Sequence, residues 1–388
     1  MSRRIRTSAV AVALSIALAG SAEAQSVGTG IDYLGYDFDA GLNADAAQLF
    51  MVPLAVRIPV NQNLRFDIFS AWADGRVEQG NTTLQLTGLV DTSIKGSWQA
   101  TPWAMVSFGV NLPTGNSAHD SEEAIVASVL SNDLLGFREA TWGTGLALTS
   151  SVAAARKVGS WGFGVAAAYA ARSGFEPTEA DPGAPAIDLT YQPGNEVRIR
   201  GGLDRNFGNS TLTLGATLIN YAEDKVSDDL GDNRNLFQAG SRIRFDGTYA
   251  FRAGAGVWTI YAADLIRQNG DLRVAVVDDT NIIVGDEILL TAKQNLIVAG
   301  FMGTVGLGSG FVFRPHVDFK NQSREEADGN KAGSGWILAA GGDIPLRIFG
   351  GYEFFPKARV YWGSIEDASQ AGVGVLGLEF KGTLRFNF

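Results

Sequence analysis

The chain has 388 residues, a net charge of −10 and no cysteine. The lack of cysteine excludes disulfide bonds, zinc–thiolate and iron–sulfur sites, and a cysteine nucleophile. The acidic balance argues against a nucleic-acid partner, because binding to phosphates needs a basic surface. After the first two dozen residues, no apolar run reaches the roughly 18 residues of a membrane-spanning helix. The 48 glycines have no collagen period and are typical of many strands and tight turns.

The first 24 residues have the order of a secretory signal peptide. The basic residues at the start are Arg3, Arg4 and Arg6. An apolar stretch follows over about 9–19, and Ala22-Glu23-Ala24 supplies an A-x-A cleavage site. We therefore predict a signal peptide over 1–24 and one mature domain over 25–388.

The mature chain repeats stretches of about ten residues in which apolar and polar side chains alternate, so that one set faces lipid and the other a lumen. A sheet that spans a membrane must close, because unpaired backbone amides are too costly in lipid. The pattern predicts an all-β fold, a transmembrane antiparallel up-and-down barrel of about 16 strands, with 14 or 12 as alternatives. The count of 16 takes 31–38 as the first strand. If this segment is a plug or hatch instead, the count falls or the pairing changes.

Short and long connections alternate along this pattern, as an up-and-down barrel requires. The short ones predict periplasmic turns, and with both termini periplasmic the strand count is even. The long ones predict extracellular loops near 74–82, 113–139, 174–193, 223–235, 267–286, 321–334 and 363–370.

The loop that follows Pro113 is rich in aliphatic residues. Ser121-Glu122-Glu123 resembles a helix start, with acidic residues at the positive end of the helix dipole. The aliphatic residues that follow have near-helical spacing and must be buried, since an exposed loop would not carry them. We predict a gating helix folded into the lumen; the alternative is a helix packed against neighbouring loops. The candidate gating residues are Ile125, Val126, Val129, Leu130, Leu134 and Leu135.

Charged residues of both signs occupy the polar face of the predicted strands. Buried charges need partners or water. These residues therefore predict ion pairs that brace the wall or the lining of an aqueous path, and the two can coexist. The candidate lumen-lining residues are Arg65, Asp67, Asp91, Lys95, Arg198, Arg200, Asp204, Arg242, Arg244, Asp246, Lys293, Arg314, His316, Asp318, Lys320, Glu379, Lys381 and Arg385.

His316 is predicted on a polar strand face beside Arg314 and Asp318. A serine hydrolase would need a serine aligned with this histidine, and the chain has no G-x-S-x-G elbow. We interpret His316 as one more polar residue of the lumen. No catalytic residue, metal ligand or cofactor is predicted.

The last stretch of the chain alternates clearly, with Leu384 and Phe386 on one face and Arg385 on the other. A terminal Phe at the end of such a strand resembles the recognition signal for the outer-membrane assembly machinery. Phe386 and Phe388 are the candidate assembly signal.

The stretch from Asp91 to Gly115 reads DTSIKGSWQATPWAMVSFGVNLPTG. A strand begins with Asp-Thr, a short turn follows, and a second strand ends in Leu-Pro-Thr-Gly. This stretch resembles the outer-membrane family named for the meta-pathway of phenol degradation, which is related in style to the long-chain fatty-acid transporters of outer membranes. The resemblance implies uptake of hydrophobic or aromatic small molecules, and it carries over no substrate-binding residue.

Together these features predict a multi-pass protein of a Gram-negative outer membrane. It is expected to be a channel or transporter for passive uptake of small molecules and not an enzyme. Its expected partners are outer-membrane lipid and lipopolysaccharide, the assembly machinery and a small-molecule solute. Two alternatives stay open: a sealed barrel with a structural or surface role, and an outer-membrane lipid hydrolase.

Overall fold

A computed structural model describes residues 25–39, 44–137, 142–177, 189–228, 233–277, 283–308, 311–348, 352–366 and 372–387. The predicted signal peptide over 1–24 lies outside the described residues, and so does Phe388 of the predicted assembly signal. Both stay predictions.

The described residues form one helix, α1 (Ser121–Leu130), and a long series of strands. The strands are β1 (Ser26–Phe38), β2 (Ala46–Pro59), β3 (Leu64–Gln79), β4 (Thr82–Leu89), β5 (Thr92–Thr101), β6 (Ala104–Leu112), β7 (Ala147–Val158), β8 (Trp161–Arg172), β9 (Leu189–Gln192), β10 (Glu196–Asn206), β11 (Ser210–Tyr221), β12 (Asp224–Asp228), β13 (Asn233–Gln238), β14 (Arg242–Ala253), β15 (Gly256–Arg267), β16 (Asp271–Val277), β17 (Ile283–Leu290), β18 (Lys293–Gly306), β19 (Val312–Glu325), β20 (Lys331–Asp343), β21 (Leu346–Arg347), β22 (Tyr352–Glu366) and β23 (Gly372–Asn387).

The main sheet closes on itself as an antiparallel barrel of 16 strands. Two of these 16 barrel strands each consist of two segments. One is formed by β4 and β5, which both pair with β3, and the other by β20 and β21, which both pair with β22. The closing pair is β1 with β23, in which Asp32 lies opposite Lys381. The prediction of about 16 strands is confirmed. The stretch 31–38 belongs to the first barrel strand and not to a plug.

Alternation along the strands separates an apolar outside from a polar inside. Apolar side chains on the outside are exposed, such as Phe108 at 66 % and Phe163 at 51 %. A continuous apolar outer surface on a closed sheet is the form that a lipid environment requires, because every strand has a hydrogen-bonded neighbour. The barrel therefore spans the outer membrane.

Among the described residues, no helix is both long and apolar enough to cross a membrane.

Short turns join the strands at one end of the barrel, here the turn end, and longer connections lie at the opposite loop end. Several predicted loops contain more strand than expected. At the predicted loops 74–82, 321–334 and 363–370, barrel strands continue as far as Gln79, Glu325 and Glu366. Over 223–235 and 267–286, strands β12, β13, β16 and β17 join β9 in a separate five-stranded sheet. Neighbouring loops pair here because their backbones continue from strands that are already adjacent.

Candidate functional site

The strand register decides which side chains face the lumen, because residues opposite each other on antiparallel strands share a face. One row runs from Arg200 on β10 through Thr217 on β11 to Arg244 on β14. Another runs from Asp67 on β3 to Lys95 on β5. The charged strand residues predicted for the lumen all face it with two exceptions, Lys293 and Asp91.

Lys293 faces outwards, so its placement in the lumen was wrong. Its register neighbour Gln294 lies on the inner row with Arg267 and Arg324, which leaves Lys293 on the opposite face. At the outer rim, Lys293 forms an ion pair of 2.8 Å with Glu325. The loop-end part of β18 is polar on both faces, so alternation alone could not decide the side.

Asp91 is 2 % exposed at the break between β4 and β5, so it is a buried anchor and not part of an open lining. Its carboxylate accepts hydrogen bonds from the backbone amides of Gly115 and Thr144 at 3.2 and 2.8 Å. It also accepts one from Asn111 Nδ2 at 3.1 Å. Asp91 therefore ties together both ends of the connection between β6 and β7. The stretch from Asp91 to Gly115, which resembles the family, begins and ends at this set of hydrogen bonds, which we call the Asp91 joint.

Residues 121–137, which we call the inner segment, fold into the lumen. Asp120 caps α1 by accepting a hydrogen bond from the Glu123 amide at 2.8 Å. The segment packs into the buried cluster that fills this side of the barrel, while Ile125 stays exposed. The buried predicted gating residues are Val126, Leu130, Leu134 and Leu135, and Val129 packs partly buried against them.

The barrel wall beneath the inner segment is built from small residues. Ala71, Ala73 and Gly75 follow one another along the inner face of β3 and are buried. A Cβ added at Gly75 would lie 2.5 Å from Leu130 Cδ1, closer than carbon atoms approach. Small side chains at this place therefore make room for the helix. In the sequence they only blur the alternation of β3.

Polar contacts hold the inner segment to four barrel strands. Tyr36 donates to the Leu135 carbonyl at 2.7 Å, and Lys320 donates to the Leu134 carbonyl at 3.2 Å. Asp133 accepts from Arg267 Nη2 at 3.3 Å and from Gln294 Nε2 at 3.0 Å. The sequence predicts Arg267 at the start of a loop, but it ends barrel strand β15 and faces the lumen.

One side of the lumen is a network of closely paired charges, which we call the braced wall. It carries pairs Lys381–Asp32 at 2.8 Å, Lys357–Glu379 at 2.6 Å and Arg359–Asp318 at 2.8 Å. The side chains of Arg359 and Glu379 are only 13 % and 12 % exposed. A cavity of about 220 Å³ lies between this wall and the inner segment. Lys357 and Arg359 were missed, although they alternate with Ala358 and Val360 along β22.

His316 belongs to the braced wall. Its ring nitrogens contact Tyr261 Oη at 2.8 Å, Asp318 Oδ1 at 3.0 Å and the guanidinium of Arg359. In the part of the chain that the structure describes, no serine is among its hydrogen-bond partners. The arrangement holds the imidazole in a polar wall.

The other side of the lumen is an open wall of arginines, which we call the arginine wall. Its members are Arg198 and Arg200 on β10, Arg242 and Arg244 on β14, and Arg267 on β15. The side chains of Arg198, Arg200 and Arg244 are 51 %, 45 % and 50 % exposed. A cavity of about 350 Å³ lies among these arginines, and Asp133 of the inner segment lines it as well.

No protein-family model matches the chain, and neither does any curated protein sequence. Solved structures of outer-membrane proteins are similar in fold. OprB of Pseudomonas putida is 11 % identical, with 92 % of this chain and 94 % of that chain covered and a TM-score of 0.47. The monoaromatic hydrocarbon channel CymD is 10 % identical, with 95 % and 89 % covered and a TM-score of 0.42. OmpT, an outer membrane protein of Vibrio cholerae, is 12 % identical, with 95 % and 99 % covered and a TM-score of 0.40.

The protein is an outer-membrane β-barrel. Towards the turn end, the charged side chains of the lumen are more exposed than those of the braced wall. Asp67 accepts from Arg57 at 2.7 Å and lies 3.4 Å from Arg65, both of which are more than half exposed. Looser pairs join Arg314 to Asp343 at 3.5 Å and Arg385 to Glu353 at 3.7 Å. The inner segment occupies the lumen nearer the loop end.

Proposed function

We propose that the barrel is a passive channel for small molecules across the outer membrane, with the inner segment as its constriction. One observation carries this proposal. The inner segment occupies the lumen against the wall formed by β1 to β4, while the arginine wall across from it stays exposed around a cavity.

The contrast between the two walls supports a channel more than a sealed barrel. A barrel sealed by side chains would pair and bury charges on all sides. Here the braced wall does so, whereas the side chains of Arg198 and Arg244 are half exposed. The paired, buried charges of the braced wall and the exposed arginines of the arginine wall thus lie on different sides of the same lumen.

The expected solute class comes from two directions. The resemblance of the Asp91–Gly115 stretch implied hydrophobic or aromatic molecules. The cavity at the arginine wall includes Ile219, Leu265 and Leu296, which provide apolar contact next to the charges. We therefore retain small molecules with an apolar body as candidate solutes.

The experiment is single-channel conductance of the refolded mature protein in a planar bilayer. It compares the intact chain with a variant in which a short Gly-Ser linker replaces 121–136. We expect steady conductance that rises in the variant, because the deletion removes the constriction. A control variant replaces the outer turn 326–330, which lies away from the lumen, and should conduct like the intact protein. No conductance in either the intact chain or the deletion variant contradicts the channel and leaves a sealed barrel.

A further inference from the structure

We infer that the arginine wall is a binding site for small organic carboxylates with an apolar body, and that it makes the channel select for anions. This inference rests on the proposed channel. It names the class of solute that the open side of the lumen binds.

The register places the five arginines in two rows across the consecutive barrel strands β10, β11, β14 and β15. Arg198 and Arg242 lie in one row with Ile219 between them, and Arg267 is directly opposite Arg242. Arg200 and Arg244 lie in the second row with Thr217 between them. Adjacent strands are about 4.8 Å apart, so β10 and β14, with β11 between them, lie about 10 Å apart. Long arginine side chains from both strands can reach one small anion across this distance.

The carboxylates of this wall are too few for its arginines. Glu196 is shared by Arg172 and Arg198, at 2.9 and 2.6 Å. Asp246 is shared by Arg200 and Arg244, at 2.8 and 3.5 Å.

Arg267 has the remaining carboxylate, Asp133, at 3.3 Å. Within the described residues, Arg242 forms no ion pair, and its guanidinium lies 5.6 Å from the ring centre of Tyr221. Like charges placed directly opposite each other, as in Arg242 and Arg267, destabilise a sheet. A mobile anion in the lumen relieves this repulsion.

The neighbouring strand keeps the guanidinium groups accessible. Ala166, Ala168 and Ala170 on β8 lie opposite Arg200, Arg198 and Glu196. Side chains this short cannot cover the arginines or pair with them. The arginines therefore reach into open lumen, and several of their N–H donors stay available to a ligand.

The lining of the cavity also indicates that the ligand has an apolar body. Ile219, Leu265 and Leu296 face the lumen beside the arginines and line the same cavity of about 350 Å³. A planar guanidinium binds a carboxylate through two parallel hydrogen bonds. A small carboxylate with an apolar body meets both requirements, whereas an inorganic anion uses only the charges.

The arginine wall and the whole chain have opposite charge balance. The chain carries a net charge of −10, yet basic residues outnumber acidic ones along the arginine wall. Fields inside a narrow, low-dielectric passage are set by the nearest charges, which here are guanidinium groups. The acidic surface of the protein does not cancel this local preference.

The first test is the reversal potential in a potassium chloride gradient. We expect the intact channel to pass chloride more readily than potassium. The double substitution Arg242→Gln and Arg244→Gln should reduce this preference several-fold. Arg205→Gln is the matched control, since Arg205 faces outwards with its guanidinium 4.6 Å from the Trp161 ring centre. The control should keep the preference of the intact channel.

The second test uses benzoate and its neutral counterpart benzyl alcohol as probes that reduce the chloride current. Benzoate should reduce the current at lower concentration than benzyl alcohol. The double glutamine substitution should raise the benzoate concentration that halves the current about tenfold, which is the effect of losing a charge-assisted hydrogen bond. Replacing both arginines by lysine should keep the chloride preference but weaken the binding of benzoate, because lysine lacks the paired N–H geometry.

The outcomes separate the inference from the channel proposal. A steady current without chloride preference, or one that the glutamine substitutions leave unchanged, overturns the anion site while the channel stands. The absence of any current, with folding verified by heat-dependent migration on a gel, overturns the channel itself.

Discussion

The side-chain amine of Lys320 on β19 donates a hydrogen bond to the backbone carbonyl of Leu134, 3.2 Å away and 186 residues earlier in the chain. Tyr36 on β1 does the same for the next carbonyl, that of Leu135. Two strands from opposite ends of the sequence thus satisfy consecutive carbonyls just beyond α1. Buried backbone carbonyls outside regular secondary structure need such partners. The inner segment is therefore fastened to the barrel at its far end as well as at the Asp91 joint.

The double substitution Tyr36→Phe and Lys320→Met should loosen the inner segment. Each substitution removes a hydrogen bond worth about 1 kcal/mol, and the carbonyls are left buried. We expect more frequent current fluctuations and a higher mean conductance in planar bilayers. Tyr33→Phe is the control, because Tyr33 lies on the outer face of β1, where its hydroxyl contacts Gln48 of β2. Equal noise in all three proteins would show that these bonds do not hold the segment.

Gly75→Val should displace the inner segment from the wall. An added Cβ would meet Leu130 at 2.5 Å and Val126 at 3.3 Å, and valine is larger still. Overpacking of this kind typically costs about 1–3 kcal/mol. The conductance should approach that of the variant that lacks 121–136. Gly88→Val is the matched control on the inner face of neighbouring β4, where an added Cβ meets nothing within 4 Å. If Gly75→Val conducts like the control, the segment is not seated there.

The barrel could be predicted from sequence because its signal is local. Alternation with period two appears in each strand by itself, and turn lengths show which strands are adjacent. β22 and β23 illustrate this, since Arg359 and Glu379 alternate with Val360 and Leu378. The prediction erred where both faces were polar, as at Lys293, and where strands continued past the membrane, as at Arg267.

The interior of the lumen could be predicted only in part. The aliphatic residues of 121–137 indicated a buried helix, because an exposed one would be unfavourable. The wall that receives it could not be predicted, since Ala71, Ala73 and Gly75 carry no signal apart from small size. Contacts such as Lys320 with Leu134 join residues far apart in sequence, and a single chain read in order does not reveal them.

Asp91→Ala should destabilise the protein and free the connection between β6 and β7. The substitution leaves the buried amide of Gly115 and the less buried amide of Thr144 without their acceptor. Each unsatisfied buried group costs about 1–3 kcal/mol. Urea unfolding from lipid vesicles, followed by tryptophan fluorescence, measures the loss. Asn111→Ala removes one donor but keeps the carboxylate, so its effect should be clearly smaller. Equal effects would argue against Asp91 as the anchor.

His316→Ala tests the remaining enzyme alternative. The imidazole contacts Tyr261 and Asp318 at 2.8 and 3.0 Å, so its loss removes contacts from the braced wall. The arginine wall is on the other side of the lumen. We expect a lower melting temperature, an unchanged chloride preference, and no release of fatty acid from phospholipid vesicles by either protein. His316→Gln should recover part of the stability, because its amide can replace one hydrogen bond. Fatty-acid release by the intact protein that His316→Ala abolishes would instead make the barrel a lipid hydrolase, with His316 as its base.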